Sequence, residues 1–443
     1  MSKTLNLASF FLLFIIVFVV IIMSPSLFSS VQPDSSSYQN FHSYRTAIYP
    51  NIIFFLDYFG VDIIFFQKFL FSLSVCFFLN SFVKVNIFFP ILLILVIFNL
   101  FYTSFSNSIL TESLFFSFIN FALAILLSKK SNIFLTILLG IFVGLIITIK
   151  PVGFAIAIPI IIFYILKFYK SANNKIITFI LFLSLIIFIE NRLFFLKHDK
   201  RNSVLDSVVT GKLITLASNK NFQVDKYPSE IRELVNEAKS DFSKVDLYLS
   251  KIKNPLLRAE LRADYEVIAQ YQYLEYKFND DKKSIIEDII QENYIDYFFE
   301  IIRNNFFEYL KLSTSHYIGM WSSGNKTINF LEKEVNNNKP PFFDLLQNSS
   351  NKVEYVDIRL LKLTSLYFII LFFTLIFFTF QIISNRKSFS PDFIFIVFMI
   401  QFYLICVSLS NVATIRYLMP IYPYLLYLNY IYFSRLTFFN LKI

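Results

Sequence analysis

The sequence predicts an all-α integral membrane protein with about ten transmembrane helices and a mostly helical external domain. Of its 443 residues 56% are hydrophobic and only 16% are charged, whereas soluble proteins carry about a quarter charged residues. The apolar residues form runs long enough to cross a hydrocarbon core, which needs about 20 helical residues. The charges are concentrated between Lys197 and Asp357, where 22 of the 40 Lys and Arg and 25 of the 31 Asp and Glu are found.

Hydropathy divides the chain into five parts. Residues 1–28 form a first transmembrane anchor, 29–60 an external interfacial loop, 61–195 transmembrane helices 2–7, 196–357 the external domain and 358–443 transmembrane helices 8–10. The first apolar run is longer than that of a signal peptide and lacks a small-residue cleavage site, so we expect it to stay as an anchor. The ten predicted spans are approximately Leu7–Phe28, Val61–Phe82, Ile87–Ser104, Ile109–Leu127, Ile133–Ile149, Val152–Leu166, Ile176–Phe195, Leu363–Ile383, Phe393–Ser410 and Tyr417–Phe433.

Short basic clusters between the spans predict the orientation. Lys84, the pair Lys129–Lys130 and the pair Arg386–Lys387 fall on one side of the membrane, which is the cytoplasmic side by the positive-inside rule. Both termini are then cytoplasmic, and residues 196–357 lie outside the cytoplasmic (inner) membrane. The net charge is +9. Because the basic residues outside the external domain lie between the apolar spans, we expect them to contact membrane lipids, and we expect no nucleic-acid partner.

In this orientation a few charged side chains gather at the external ends of the spans. Ionisable groups at the edge of an apolar helix are costly unless they face water or a partner. We therefore predict a mixed-charge cluster at the outer leaflet, of a kind that suits a phosphorylated lipid. The acids on this side are Asp34, Asp57, Asp62, Glu112 and Glu190, and the bases include Arg45, Lys150 and Arg416.

Two further patterns concern packing and metals. Ile231, Leu234, Val235 and Ala238 recur at helical spacing, which predicts helices in the external domain. Gly140 and Gly144 have the spacing of a helix-packing face in lipid. The three histidines, His42, His198 and His316, lack the spacing of zinc ligands.

Four short motifs occur on the predicted external side, in the order PDSSSY at residues 33–38, RTAIYP at 45–50, ILTESLF at 109–115 and RYLMP at 416–420. Together they resemble the motifs of the bacterial C-type (GT-C superfamily) glycosyltransferases, which are related to protein O-mannosyltransferases and the lipid A aminoarabinose transferase. Two positions depart from that pattern: Ala47 stands where Pro is usual, and Ser35 stands where many relatives have a second acid.

The resemblance implies a membrane glycosyltransferase that moves a sugar from a polyprenyl-phosphate donor to a glycolipid, polysaccharide or protein acceptor. No cofactor is required by this reading, and because Ser35 replaces an acid the sequence leaves a divalent metal open. A carboxylate would take the acceptor proton, and cations would stabilise the departing phosphate. The expected catalytic residue is Asp34, and the expected residues for substrate and lipid phosphate are Arg45, Lys150, Arg416, Tyr38, Tyr49 and Glu112.

Each residue also has a simpler interpretation. Asp34 is suitably placed to cap a helix through its carboxylate, and Arg45 and Arg416 are suited to anchor helix ends in the interface. Lys150 beside Pro151 is ordinary for a span end. Glu112 suits a metal, a sugar hydroxyl or an arginine partner, while Asp57 and Asp62 are typical of turns and caps.

Other functions predict different patterns. An O-antigen-type polymerase or ligase is also polytopic with a large external loop, but it does not require Asp34 in a surface-lying loop. A transporter or flippase places polar residues near the bilayer midplane, where these spans are nearly free of charge. A structural scaffold offers no reason for charge gathered at the external ends.

Overall fold

The computed structural model describes residues 7–27, 29–32, 34–82, 88–128, 132–169, 173–202, 205–219, 224–225, 227–322, 340–349, 358–410 and 415–435. Lys84, Lys129 and Lys130 of the predicted cytoplasmic clusters lie outside these residues. Within them every long regular element is a helix. The prediction of an all-α protein is therefore confirmed for the described chain.

Twenty α-helices follow one another along the described residues. The first ten are α1 Leu7–Met23, α2 Ser35–Gln39, α3 Ile48–Tyr58, α4 Ile63–Phe82, α5 Phe88–Ile97, α6 Leu100–Ser104, α7 Glu112–Leu126, α8 Ile133–Ile149, α9 Phe154–Phe168 and α10 Asn173–Phe195. The others are α11 Leu205–Leu216, α12 Ser229–Ser250, α13 Pro255–Tyr271, α14 Tyr273–Lys277, α15 Asp280–Asn304, α16 Phe306–Gly319, α17 Phe343–Ser349, α18 Ile358–Ser384, α19 Pro391–Ser410 and α20 Tyr422–Arg435.

Several of these helices make the chain a multi-pass membrane protein. Five helical stretches are long and apolar enough to cross a bilayer, namely Ile63–Ser81, Pro151–Phe168, Asn173–Phe195, Leu366–Ser384 and Pro391–Ser410. A sixth span results if the pieces Phe89–Ile97 and Leu100–Asn107, which meet at 51°, cross together. The described residues thus show five or six of the ten predicted spans.

The remaining predicted spans correspond to shorter helices. Helices α1, α7 and α8 are apolar but have 17, 15 and 17 residues, and α20 has 14. The predicted third span is interrupted because the Asn99 side chain accepts a hydrogen bond from the Tyr102 backbone N–H and begins a new helix there. Hydropathy alone does not reveal this interruption, because Asn99 is a single polar residue in an apolar run.

Two glycines allow α8 to approach α10 closely. A Cβ atom at Gly140 would lie 2.7 Å from the Phe179 carbonyl oxygen, and one at Gly144 would lie 2.7 Å from the Ile186 Cβ. The predicted role of these glycines in helix packing is confirmed. The packing also fixes the end of α8, where Lys150 follows.

The buried side chains form two main cores. The first joins α1, α4–α9 and α18–α20. The second belongs to α11–α17 and includes Leu234, Val235 and Ala238 at the spacing that predicted a helix. The two cores meet at α16, where the Tyr309 hydroxyl donates to the Leu409 carbonyl of α19 and Trp321 packs 5.2 Å from Phe372, centroid to centroid.

Three ionisable side chains are fully buried inside the second core. The Lys212 ammonium lies 2.6 Å from one oxygen of Glu266, and His316 Nε2 lies 2.9 Å from the other. Burial by itself would raise the pKa of Glu266, but Lys212 and His316 lower that pKa to about 2. The carboxylate thus holds α13 to both α11 and α16.

Substituting Glu266→Gln should destabilise the second core, because it leaves the Lys212 ammonium buried without a carboxylate. Removing one partner of a buried pair costs about 3–5 kcal/mol. Trp321 is the only tryptophan, so its fluorescence during thermal unfolding in detergent reports the loss. Glu275→Gln is the control, because that side chain is 73% exposed, and an equal effect in both variants would contradict the role of Glu266.

Candidate functional site

The seven predicted site residues come together in the structure, although they lie in distant parts of the chain. Asp34 precedes α2, Arg45 lies between α2 and α3, and Glu112 is the first residue of α7. Lys150 directly follows α8, and Arg416 lies in the 3-10 turn Ile415–Tyr417 before α20. We refer to Asp34, Arg45, Glu112, Lys150 and Arg416 as the charged cluster, and Tyr38 and Tyr49 pack beside it.

Asp34 uses its carboxylate for ion pairs. One oxygen lies 2.6 Å from Arg45 Nη2 and the other lies 3.3 Å from Arg416 Nη1. Asp34 does precede α2, but its side chain makes no capping hydrogen bond there. Its backbone carbonyl instead accepts bonds from the Ser37 N–H at 3.2 Å and the Ser37 hydroxyl at 2.6 Å. The alternative of a capping carboxylate is therefore wrong.

Arg45 is held by neighbours on α2. Its Nε donates to the Ser37 hydroxyl at 2.8 Å and its Nη1 to the Tyr38 hydroxyl at 3.0 Å. The guanidinium carbon also lies 4.3 Å from the centre of the Tyr38 ring, a cation–π geometry. These contacts orient Arg45 towards Asp34, so it is not merely an interfacial anchor.

Glu112 lies at the other end of the cluster and is completely buried. Lys150 Nζ lies 2.6 Å from its carboxylate, and Arg416 Nε donates to the same oxygen. The N-terminus of α7 adds the positive end of a helix dipole. Of the roles predicted for Glu112, pairing with an arginine is the one that the structure shows.

The five charges alternate in sign through space. Arg45 contacts Asp34, Asp34 contacts Arg416, Arg416 contacts Glu112, and Glu112 contacts Lys150. Three cations and two carboxylates leave a surplus of one positive charge in a largely buried setting. An anion that enters the cluster would therefore meet uncompensated positive charge and several hydrogen-bond donors.

The electrostatic setting of Asp34 favours its ionised form. Burial acts to raise the pKa of its carboxyl, but the guanidinium groups of Arg416 and Arg45 outweigh burial and lower it below the usual value. The Glu112 carboxylate opposes them weakly. Asp34 is therefore a carboxylate at neutral pH, and its basicity depends on how firmly the two arginines hold it.

The two departures from the family pattern have structural explanations. The Ala47 N–H, which proline would lack, donates to Glu190 at 3.1 Å. The Glu190 carboxylate also accepts a hydrogen bond from Arg201 Nη2 at 2.8 Å. Ser35 is fully buried, and its hydroxyl donates to the Ile109 carbonyl at 2.9 Å, so it joins the start of α2 to the loop before α7.

Other polar residues support the site from behind. Gln67 Nε2 donates to the carbonyls of Ser108 and Leu110 at 3.1 Å, and its carbonyl accepts from the Tyr49 hydroxyl at 3.3 Å. These bonds fix the loop that delivers Glu112. Gln67 lies in the helix after the RTAIYP motif and belongs to the same resemblance, but the sequence alone does not predict which groups it binds.

Of the two remaining predicted acids on this side, Asp57 and Asp62, Asp62 is a cap. Asp62 accepts hydrogen bonds from the backbone N–H groups of Ile64 and Phe65 at 3.3 and 3.0 Å, at the start of α4. Its predicted role as a capping residue is confirmed. It takes no part in the charged cluster.

Metal binding finds little support at this site. Among the residues that the structure describes, no group of three His, Cys, Asp or Glu side chains is arranged to hold a metal ion. Asp34 and Glu112 each contact two cations. A divalent metal would have to displace an ion pair from either carboxylate.

Comparisons with protein-family models, with curated proteins and with solved structures found no match to this chain. The resemblance to the C-type glycosyltransferases therefore rests on the short motifs alone and stays a prediction. All four contribute at least one residue to the charged cluster or to its immediate support.

We expect Glu112→Gln to lower the thermal stability strongly, because Lys150 and Arg416 would lose their buried carboxylate. Adding Lys150→Met should recover part of the loss, since one unpaired cation is removed. A double-mutant cycle measured by thermal unfolding in detergent tests this coupling, which is typically 0.5–3 kcal/mol between contacting residues.

Additive destabilisation by Glu112→Gln and Lys150→Met would contradict the described pairing. Glu308→Gln is a suitable control, because that carboxylate lies on α16, is 44% exposed and is 3.7 Å from Lys311. Its effect should stay within about 0.5 kcal/mol.

Proposed function

We propose that the chain is a membrane glycosyltransferase that moves a sugar from a polyprenyl-phosphate donor to an acceptor on the outer face of the cytoplasmic membrane. The observation that carries this proposal is the charged cluster, in which positive and negative side chains alternate. The Asp34 carboxylate is paired with Arg45 and Arg416, and the same two arginines could bind a phosphate that enters the site. The four motifs that resemble the C-type glycosyltransferases give independent support.

The cations of the cluster suit a lipid phosphate. Arg45 and Arg416 present planar guanidinium groups, which bind phosphate oxygens through paired hydrogen bonds, and Lys150 adds a compact charge. The apolar helices around the cluster suit the polyprenyl chain. A donor that is both anionic and strongly hydrophobic matches both features.

Asp34 would act as the general base. The acceptor oxygen or nitrogen attacks the anomeric carbon from the face opposite the phosphate, and Asp34 takes the acceptor proton. The bond between that carbon and the phosphate oxygen breaks, and the electron pair leaves with the polyprenyl phosphate. The products are the glycosylated acceptor, with inverted configuration, and the free lipid phosphate, stabilised by the cations.

Donor binding would also activate the base. The phosphate competes with Asp34 for Arg45 and Arg416, the two groups that lower the pKa of its carboxyl. When these guanidinium groups turn to the phosphate, the carboxylate loses its counter-charges and becomes more basic. The base is thus held inactive until a donor occupies the site.

The same proposal includes the topology of ten spans. The shorter helices α1, α7, α8 and α20 would complete the number, with both termini cytoplasmic and the charged cluster and the second core external. The positive-inside distribution of basic residues supports this arrangement. The acceptor would be a glycolipid, a polysaccharide or a protein.

Farnesyl phosphate, a short stand-in for the lipid phosphate, should bind the purified protein. Arg45→Gln should weaken its binding by about ten- to a hundredfold, because a hydrogen bond to a charged group contributes about 1.5–3 kcal/mol. Asp34→Asn should bind at least as tightly as the wild type, since the competing carboxylate is gone. Isothermal titration in detergent measures both.

The matched control for that titration is Arg386→Gln, which removes an exposed arginine from the turn Arg386–Ser388 before α19. Equal binding by Arg45→Gln and the wild type would exclude Arg45 from the phosphate site. Farnesol, which lacks the phosphate, should not compete.

Transfer itself should depend on Asp34. Purified protein is mixed with membranes from a strain in which the gene is deleted and with a lipid extract of wild-type cells as the donor pool. Mass spectrometry then follows the modified acceptor and the released polyprenyl phosphate. Asp34→Asn should lower the rate by at least a thousandfold, whereas Asp57→Asn should leave it unchanged, and near-normal transfer by Asp34→Asn would refute the proposed mechanism.

A further inference from the structure

Helix α16 contacts two of the apolar spans with one of its sides. The Tyr317 hydroxyl donates to Gln401 Oε1 of α19 at 2.9 Å, and Gln401 Nε2 donates to the Thr379 hydroxyl oxygen of α18 at 2.9 Å. The Tyr317 ring also lies 6.3 Å from the Phe372 ring of α18, centroid to centroid. The contacted residues belong to stretches that are long and apolar enough to cross a bilayer. This side of α16 therefore lies against the membrane-spanning part of the chain.

The second core covers a different side of α16. Leu312 is buried in that core, and His316 Nε2 lies 2.9 Å from the Glu266 carboxylate of α13. Each residue turns an α-helix by about 100°, so Leu312 and His316 lie well round the helix from Tyr317. The spans and the second core thus cover two separate sides of α16.

Three apolar side chains of α16 are exposed among the residues that the structure describes. Leu310 stands seven residues before Tyr317, and Phe306 stands four residues before Leu310, which puts all three on one face of an α-helix. Phe306 is nevertheless 53% exposed and Leu310 46%. Phe307, one helical turn before Leu310, is 82% exposed. We refer to Phe306, Phe307 and Leu310 as the apolar stripe.

The charged residues of α16 lie apart from the apolar stripe. Glu308 and Lys311 form an ion pair at 3.7 Å, and their side chains are exposed. With about 100° per residue, both lie between the apolar stripe and the side that the second core covers. An apolar face beside a charged face is typical of a helix that lies in the membrane interface.

The exposed apolar surface of α16 continues onto α19. The Tyr309 hydroxyl donates to the Leu409 carbonyl, and Tyr317 contacts Gln401 eight residues away along the same span. Ile405 lies midway between Gln401 and Leu409, on the same face of α19, and is 47% exposed. An uncovered apolar side chain of a membrane span is surrounded by acyl chains.

We propose that the apolar stripe is immersed in the lipid leaflet at the C-terminal end of α19. Helix α16 then lies in the membrane interface and attaches the second core to the bilayer. The acyl chains that surround Ile405 extend to the apolar stripe, while Glu308 and Lys311 remain in water. This attachment is independent of the proposed glycosyltransferase function.

Quenching of tryptophan fluorescence by brominated lipid tests the immersion. Trp321→Phe removes the only tryptophan, and Leu310→Trp then places a single one in the apolar stripe of the full-length chain. In phosphatidylcholine vesicles brominated at the headgroup end of the acyl chains, this variant should lose about half of its emission or more. The reason is that an interfacial helix buries its apolar face about 5–10 Å deep at that boundary.

The matched control is Leu247→Trp in the same background. Leu247 is 62% exposed on α12, three residues after the exposed Lys244 and four before the exposed Lys251, so bromine should leave its emission unchanged. The same two tryptophan substitutions with Trp321 retained give a second reading after subtraction of the wild-type emission. That reading does not depend on how well Trp321→Phe folds.

Emission from Leu310→Trp that brominated lipid leaves unchanged overturns the proposal. Quenching by acrylamide in the water would then show that the apolar stripe faces solvent. Protection from both quenchers would show that protein covers it, either a second copy of the chain or another segment of the same chain. Equal quenching of Leu310→Trp and Leu247→Trp by brominated lipid would also contradict a specific immersion of α16.

Discussion

The position of one side chain, Arg416, determines how the site is assembled. Its guanidinium lies between Asp34 and Glu112, so it joins the loop before α2, the start of α7 and the turn before α20. Charges in such an apolar setting are stable only when each has a partner. The alternating order provides every charge of the cluster with a partner and leaves one positive charge over. The site is thus a structural tie between distant parts of the chain, and its surplus positive charge would suit an anion.

The second core is attached to this arrangement and is not independent of it. Tyr309 and Trp321 fix α16 against α18 and α19, and the buried charges of Lys212, Glu266 and His316 hold α13 to its neighbours. On the proposed function, the membrane helices around the charged cluster bind the lipid donor.

The sequence predicted the composition of the site better than its surroundings. Asp34, Arg45, Glu112 and Arg416 are predictable because rare charges at one side of apolar helices need water or a partner, and in the structure they pair with one another. The break at Asn99 depends on a single hydrogen bond, and the length of α7 depends on the path of the loop before it. Hydropathy predicts neither. Glu266 and His316 lie far apart in sequence, so no spacing pattern predicts that they are buried together with Lys212. Likewise, Asp34 forms ion pairs with Arg45 and Arg416, which lie 11 and 382 positions away in the sequence.

The most direct measurement is mass spectrometry of the glycans and glycolipids of living cells, comparing a strain without the gene with the same strain carrying it. We predict that the deletion removes a single sugar from one glycan or glycolipid and that the gene restores it. The mass of the missing sugar would identify the donor. A collapse of repeat-unit length would indicate a polymerase instead, and an unchanged profile would contradict the account.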